Sequence, residues 1–145
     1  MDKMTFMVAA SGEGMATTSH IGSHRLVIDA DAGIGGTGAG PNPMETILLA
    51  LAACENITTR IVAGEMEFDL QKIDFEITAE LDPQGVMGNP MVQAHFEKVE
   101  ITVRLRTQET EDRIRVLKVA VEKRCPAYSM FKAANIEMID RWIKV

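Results

Sequence analysis

Apolar and polar residues are interleaved in short runs over the first thirty positions. Met4 to Ala10, Met15 to Ile21 and His24 to Ala30 read as three β-strands, separated by Ser11-Gly12-Glu13-Gly14 and Gly22-Ser23. The separators are short, so the pattern predicts a meander. From Asp31 to Gly40 the chain turns glycine-rich, and Pro41-Asn42-Pro43 closes the stretch. This is a loop that feeds a helix. Asn42 suits the N-cap, Pro43 the first helical position, and Glu45 can reach back to the cap as in a capping box. Rich in Ala, Leu and Ile, the helix is expected to run to Ala63, with Gly64 as its stop.

Farther along, Phe68 to Leu81 and Ala94 to Thr107 alternate apolar and polar positions, as in Phe75, Ile77 and Ala79, or Val99, Ile101, Val103 and Leu105. Two long, half-buried strands are predicted. Asp82 to Pro90 between them, with its prolines and glycines, reads as a hairpin loop. From Glu109 to Lys123, Ile114, Leu117 and Val121 recur at helical spacing, with Thr107 or Thr110 as cap. Pro126 interrupts that helix, because a proline disfavours helical geometry in the residue before it. A short helix restarts over Pro126 to Ala134. Ile136 to Val145 ends the chain as a strand, with Met138, Asp140, Trp142 and Lys144 on one face.

Composition narrows the function classes. At 145 residues, 46% hydrophobic and 25% charged, the chain has the make-up of one folded domain spanning residues 1–145. A formal charge of −6 and the lack of any basic run exclude a nucleic-acid partner. The longest apolar stretch, Ile47 to Ala53, is far short of the ~20 residues of a bilayer span, so no membrane partner is expected. MDKMTFMVAA lacks the long apolar region of a secretory signal, so a cytoplasmic location is expected. There, thiols are kept reduced and serve chemistry or metal binding rather than permanent staples.

The chain has two cysteines, Cys54 and Cys125. Cys54 follows Ile47 by seven positions and Leu51 by three, so all three project to one buried side of the first long helix. Burial alone makes a thiol inert; a reactive Cys54 needs a nearby cation or a helix end. Cys125 precedes Pro126 at a helix start, with Arg124 beside it. Free N–H groups and the helix dipole there favour a thiolate. Spacing alone leaves open that both are small core residues. Histidines occur only at 20, 24 and 95, with no metal-ligand spacing, and no metal is assigned.

The run Gly40-Pro41-Asn42-Pro43-Met44-Glu45-Thr46-Ile47-Leu48-Leu49-Ala50-Leu51-Ala52-Ala53-Cys54 resembles the first-cysteine motif of the OsmC/Ohr superfamily, the osmotically inducible and organic hydroperoxide resistance proteins. Glu122-Lys123-Arg124-Cys125-Pro126 resembles its second motif, and the order of elements is similar over nearly the whole chain. The resemblance implies an α+β OsmC-like fold: antiparallel sheets wrapped around two long central helices in an intertwined homodimer, with sites at the subunit interface. It implies that Cys54 is a peroxidatic thiol, which attacks an organic or fatty-acyl hydroperoxide and becomes a sulfenic acid. Cys125 is then the resolving thiol, and an external dithiol reduces the resulting disulfide. No bound cofactor is required.

In family members with strong hydroperoxidase activity, an N-terminal arginine and a glutamate ten residues before the first cysteine activate the thiolate. Met44 stands at that position here, and the glutamate is displaced to Glu45. Nine helical residues turn ~900°, which puts Glu45 opposite Cys54 and makes it a better cap than catalytic partner. Arg25 is the only arginine before Cys54, and the resemblance implies it as thiolate stabiliser. These departures admit a second expectation, a non-catalytic OsmC-like protein that binds a small apolar ligand at the dimer interface.

Overall fold

In the computed structural model, which describes residues 1–145, two glycine-led turns fold the beginning of the chain into a three-stranded antiparallel sheet. Its strands are β1 (Ala9–Glu13), β2 (Ala16–Ile21) and β3 (His24–Ile28), in that spatial order. Glu13 pairs with Ala16 and Ile21 with His24, which leaves Gly14-Met15 and Gly22-Ser23 as two-residue loops. Gly14 and Gly22 have φ of 59° and 58°, and a glycine tolerates positive φ at the first loop position without strain. β1 differs from the expected Met4 to Ala10. It takes in Ser11, Gly12 and Glu13, which had read as a separator, because the tight turn sets the register, and β1, exposed throughout, has no buried face to oppose it.

The glycine-rich loop that follows is organised by Asp29, a side chain the sequence did not single out. Its carboxylate accepts hydrogen bonds from Ala30 N (2.7 Å), Thr37 N (3.1 Å), Thr37 Oγ1 (2.6 Å) and Ala39 N (3.1 Å). Led by the Thr37 hydroxyl, these donors hold the Asp29 carboxyl down at about 2. This sheet, this loop and the first helical turns form one unit, Met1–Leu49; Ala50–Val145 form a second.

Helix α1 covers Pro43–Glu65. Glu45 N donates to Asn42 Oδ1 at 2.8 Å and Asn42 Nδ2 donates to Glu45 Oε1 at 2.9 Å, a reciprocal cap. The helix runs through Gly64 and stops later than expected. Phe68 N donates to Ala63 O (2.8 Å) and Glu67 N to Gly64 O (3.2 Å), with Glu67 left-handed at φ 52°. That is a Schellman ending with a glutamate where glycine is usual. Leu51, Glu55, Thr58, Thr59, Val62 and Ala63 make the buried stripe, whereas Leu49, Ile57 and Ile61 are exposed. By length and composition α1 meets the measure of a membrane-crossing helix, one that the core helix of a folded domain also meets, and its stripe is buried within the fold.

The second unit is built on β4 (Lys72–Glu80), β5 (Lys98–Arg106) and β6 (Glu137–Lys144). β4 and β5 are antiparallel from Lys72 opposite Arg106 to Glu80 opposite Lys98, and both are shorter than their alternating patterns. The connection between them contains a short helix, α2 (Pro83–Val86), whose first turn is capped by Asp82 accepting from Gln84 N at 2.9 Å. Helices α3 (Glu111–Arg124) and α4 (Pro126–Ala133) then cross over, and β6 returns parallel to β5, so this sheet is mixed rather than antiparallel throughout. Val99, Ile101, Val103 and Leu105 of the central strand have no exposure, and Ile114, Leu117 and Val121 of α3 are likewise in the core. Burial of each such side chain stabilises the fold by roughly 1.5–3 kcal/mol. The fold is α+β: two three-stranded sheets and four helices.

Candidate functional site

Cys125 sits at the joint between α3 and α4. Its N–H donates to Val121 O at 2.8 Å, which closes α3, and its sulfur accepts from Tyr128 N at 3.5 Å, which caps α4. Pro126 forces the break, and Cys125 is extended at φ −71° and ψ 115°. The side chain has no exposure. Burial pushes the thiol up to about 11; the Tyr128 N–H opposes this, while Cys54 and Glu55 push in the same direction as burial. The expected easy ionisation of Cys125 is therefore corrected. One long N–H contact does not offset desolvation, and Arg124 turns away to hold Glu65 with both guanidinium nitrogens.

Cys54 lies on α1, half-buried, and is the neighbouring thiol that acts on Cys125; both are free. The expected stripe of Ile47, Leu51 and Cys54 is also corrected. Leu51 is fully buried, Ile47 is 41% exposed, and Cys54 lies at the edge of a stripe centred on Glu55. The structure thus pairs a partly accessible thiol with a sealed one. Glu45 is engaged by Asn42 at the start of α1. Arg25 lies in the N-terminal unit, exposed on β3 and in register with His20 of β2.

Around Cys125 are side chains the sequence reading did not assign. Glu55, adjacent to Cys54 in sequence, is 1% exposed, and its Oε2 has no hydrogen-bond partner. Burial first, then Asp140 and Glu122, push its carboxyl up to about 8, against Lys118, which lowers it. Glu122 of α3 is also raised, chiefly by burial, with Lys118 Nζ 3.1 Å from its Oε1. On β6, Asp140 Oδ2 accepts from the Tyr128 hydroxyl at 2.5 Å, while Asp140 Oδ1 has no partner. Burial and this bond to Asp140 keep Tyr128 protonated. Two signals pointed here: a lone acid within the apolar run of α1, and Asp140 between Met138 and Trp142 on one face of β6. What the sequence lacked was any sign that these acids converge. An open cavity of about 210 Å³, lined by Lys118, Asp140 and Trp142 among others, adjoins the group on the β6 side. No three His, Cys, Asp or Glu side chains are placed to hold a metal ion.

Residues 36–139 match the family model described as OsmC-like protein. Among solved structures, the chain is similar to an OsmC-like protein from Mycoplasma pneumoniae, with a TM-score of 0.86 and 21% identity, over 100% of this chain and 99% of that one. It is also similar to an organic hydroperoxide resistance protein OsmC from Legionella pneumophila (TM-score 0.74, 18% identity, 99% of each chain). A third is an organic hydroperoxide resistance protein from Elizabethkingia anophelis (TM-score 0.77, 16% identity, 99% of this chain and 100% of that). At these identities the likeness is one of fold. Among curated proteins none matches the sequence.

Proposed function

The chain belongs to the family of OsmC-like proteins, and from that premise we propose that it is a thiol-dependent peroxidase for organic or fatty-acyl hydroperoxides, acting in the oxidative stress response. The observation that carries this reading is the pairing of a half-buried Cys54 with a free, fully buried Cys125. Cys54 attacks one peroxide oxygen as the thiolate. The O–O bond breaks, the alcohol leaves with a proton, and Cys54 becomes a sulfenic acid. Cys125, sealed from the peroxide, condenses with that sulfenic acid to give a disulfide and water, and an external dithiol restores both thiols. The names of the Legionella and Elizabethkingia proteins support this substrate class. A homodimer is part of the reading, because Leu49, Ile57 and Ile61 of α1 and Phe6, Met7 and Val8 leave apolar surface that a second copy would cover. A reducing compartment such as the cytoplasm suits two free thiols.

The test is consumption of cumene hydroperoxide or a fatty-acyl hydroperoxide with dithiothreitol or a lipoyl dithiol as reductant. Cys54→Ser abolishes turnover; full activity in that variant ends the proposal. Arg25→Gln in the same assay tests the cation assigned to the Cys54 thiolate, and an unchanged rate removes Arg25 from the site.

One observation favours the second reading, a non-catalytic binder of a small apolar ligand at the dimer interface. Met44 occupies the position ten residues before Cys54, and the nearby Glu45 carboxylate is taken by Asn42. That reading predicts a ligand-dependent rise in Tm with negligible peroxide consumption.

A further inference from the structure

Cys125 holds the joint between α3 and α4 with its N–H, its carbonyl and its sulfur. The N–H donates to Val121 O at 2.8 Å, the carbonyl accepts from Ser129 N at 2.9 Å, and the sulfur accepts from Tyr128 N at 3.5 Å. The last contact makes the sulfur the N-cap of α4, a place usually taken by Ser, Thr, Asp or Asn. Pro126 brings no N–H to this turn, and Tyr128 N–H is the orphan donor that the sulfur satisfies. With eight residues, α4 is too short to be stable alone. Beyond its cap it is held by the buried side chains of Tyr128 and Phe131 and by the Tyr128 hydroxyl, which donates to Asp140 Oδ2 at 2.5 Å.

We propose that the Cys125 sulfur is a redox-dependent cap: as a thiol it closes the first turn of α4, and on entering the Cys54–Cys125 disulfide it gives up the Tyr128 N–H, so that α4 opens at its start in the oxidised protein. This rests on the assignment of Cys125 as resolving thiol. Cys54 sits on α1, a helix of 23 residues tied at one end by the Asn42–Glu45 cap and at the other by its Schellman bonds. Cys125 sits at a break between two shorter helices, so the joint is the side that yields when the two sulfurs bond. An N–H···S contact already 3.5 Å long has little length to spare, and a sulfur drawn toward α1 leaves it. Tyr128 is 4% exposed and Cys125 not at all, so the abandoned N–H reaches water only if the first turn opens. Phe131 and the bond from Tyr128 to Asp140 keep the rest of α4 in place. Because the thiol alone makes the cap, the cap favours the reduced pair, and the opened turn uncovers the disulfide to the external dithiol.

The test is hydrogen exchange at the Tyr128 amide of the full chain, read by NMR in dithiothreitol and again after diamide. Diamide takes the hydrogens of both thiols onto its N=N bond and closes the disulfide without peroxide. Exchange at Tyr128 is expected to be roughly fivefold faster in the oxidised chain, with the Leu117 and Val121 amides of α3 unchanged. Equal rates in the two forms overturn the proposal, and so does an equal acceleration across α3 and α4, which general loosening gives. Two variants examine the cap without any disulfide. Cys125→Ala loses it and is expected to exchange at Tyr128 as fast as the oxidised wild type, whereas Cys125→Ser keeps it through the hydroxyl and stays protected with or without diamide. A protected Tyr128 amide in Cys125→Ala overturns the proposal. If diamide leaves both thiols free, the resolving role of Cys125 fails and the proposal with it; if the disulfide closes and Tyr128 does not respond, the cap proposal alone fails.

Discussion

Tyr128 binds two elements of the site through two different atoms: its hydroxyl donates to Asp140 Oδ2 at 2.5 Å, and its N–H faces Cys125 Sγ at 3.5 Å. The first bond anchors α4 to β6 and the second is part of the cap of α4, so Tyr128→Phe separates them. The variant removes the hydroxyl and leaves Asp140, already short of a partner on Oδ1, with none on Oδ2. A loss of about 1–3 kcal/mol in urea denaturation is expected, while the backbone contact to Cys125 persists.

The raised carboxyl of Glu55 makes stability depend on pH in the direction opposite to most acids. The folded state holds the Glu55 proton up to about 8, whereas the unfolded chain releases it near 4.5. Its contribution is therefore fully present below about pH 4.5 and is lost as pH rises toward 8, by up to roughly 4 kcal/mol. Urea midpoints at pH 5.5 and pH 8.5 measure this. Glu55→Gln flattens the difference, and an equal slope in both proteins refutes the assignment.

Removing the resolving thiol traps the intermediate. Cys125→Ser treated with one equivalent of hydroperoxide is expected to become one oxygen atom heavier at Cys54 and to label with dimedone, and excess peroxide drives it on to the sulfinic acid. The wild-type chain instead loses two hydrogens as the disulfide closes. Intact-mass spectrometry distinguishes these outcomes.

Glu67 ends α1 in the left-handed region at φ 52°, where a side chain is strained. Glu67→Gly relieves that strain but loosens the unfolded chain, for a net gain of about 0.5–1 kcal/mol. A Tm that does not rise would contradict it.

Asp29 ties the glycine-rich loop together with four hydrogen bonds to its carboxylate, led by the Thr37 hydroxyl. A carboxyl held down at about 2 contributes stability above the usual carboxylate range, and that contribution is lost as pH falls toward 2. Asp29→Asn is expected to speed hydrogen exchange at the Thr37 and Ala39 amides at neutral pH and to weaken their dependence on acid.

Wherever a residue's neighbours in sequence decide its conformation, the sequence was a sufficient guide. Asn42, Pro43 and Glu45 open α1, Thr110 caps α3, Pro126 splits α3 from α4, and alternation marks β4, β5 and β6, because each signal acts within a few residues. Boundaries set by hydrogen-bond register or by a distant contact were not legible. β1 is placed by its turn, and α1 passes through Gly64 because the Schellman bonds of Glu67 and Phe68 end it.

For the site the division is sharper. The two motifs marked Cys54 and Cys125, but their chemical state depends on what surrounds them. Helix-start position and Arg124 favoured ionisation at Cys125, yet full burial reverses it, and burial is a property of the packed chain rather than of a five-residue window. Glu55, Glu122 and Asp140 are 67 and 18 positions apart in sequence and look like isolated acids until α1, α3 and β6 bring them near one another. Local sequence determined which residues could do chemistry. Only the tertiary structure, by excluding water and gathering like charges, decided which of them holds a proton and at what pH it is released.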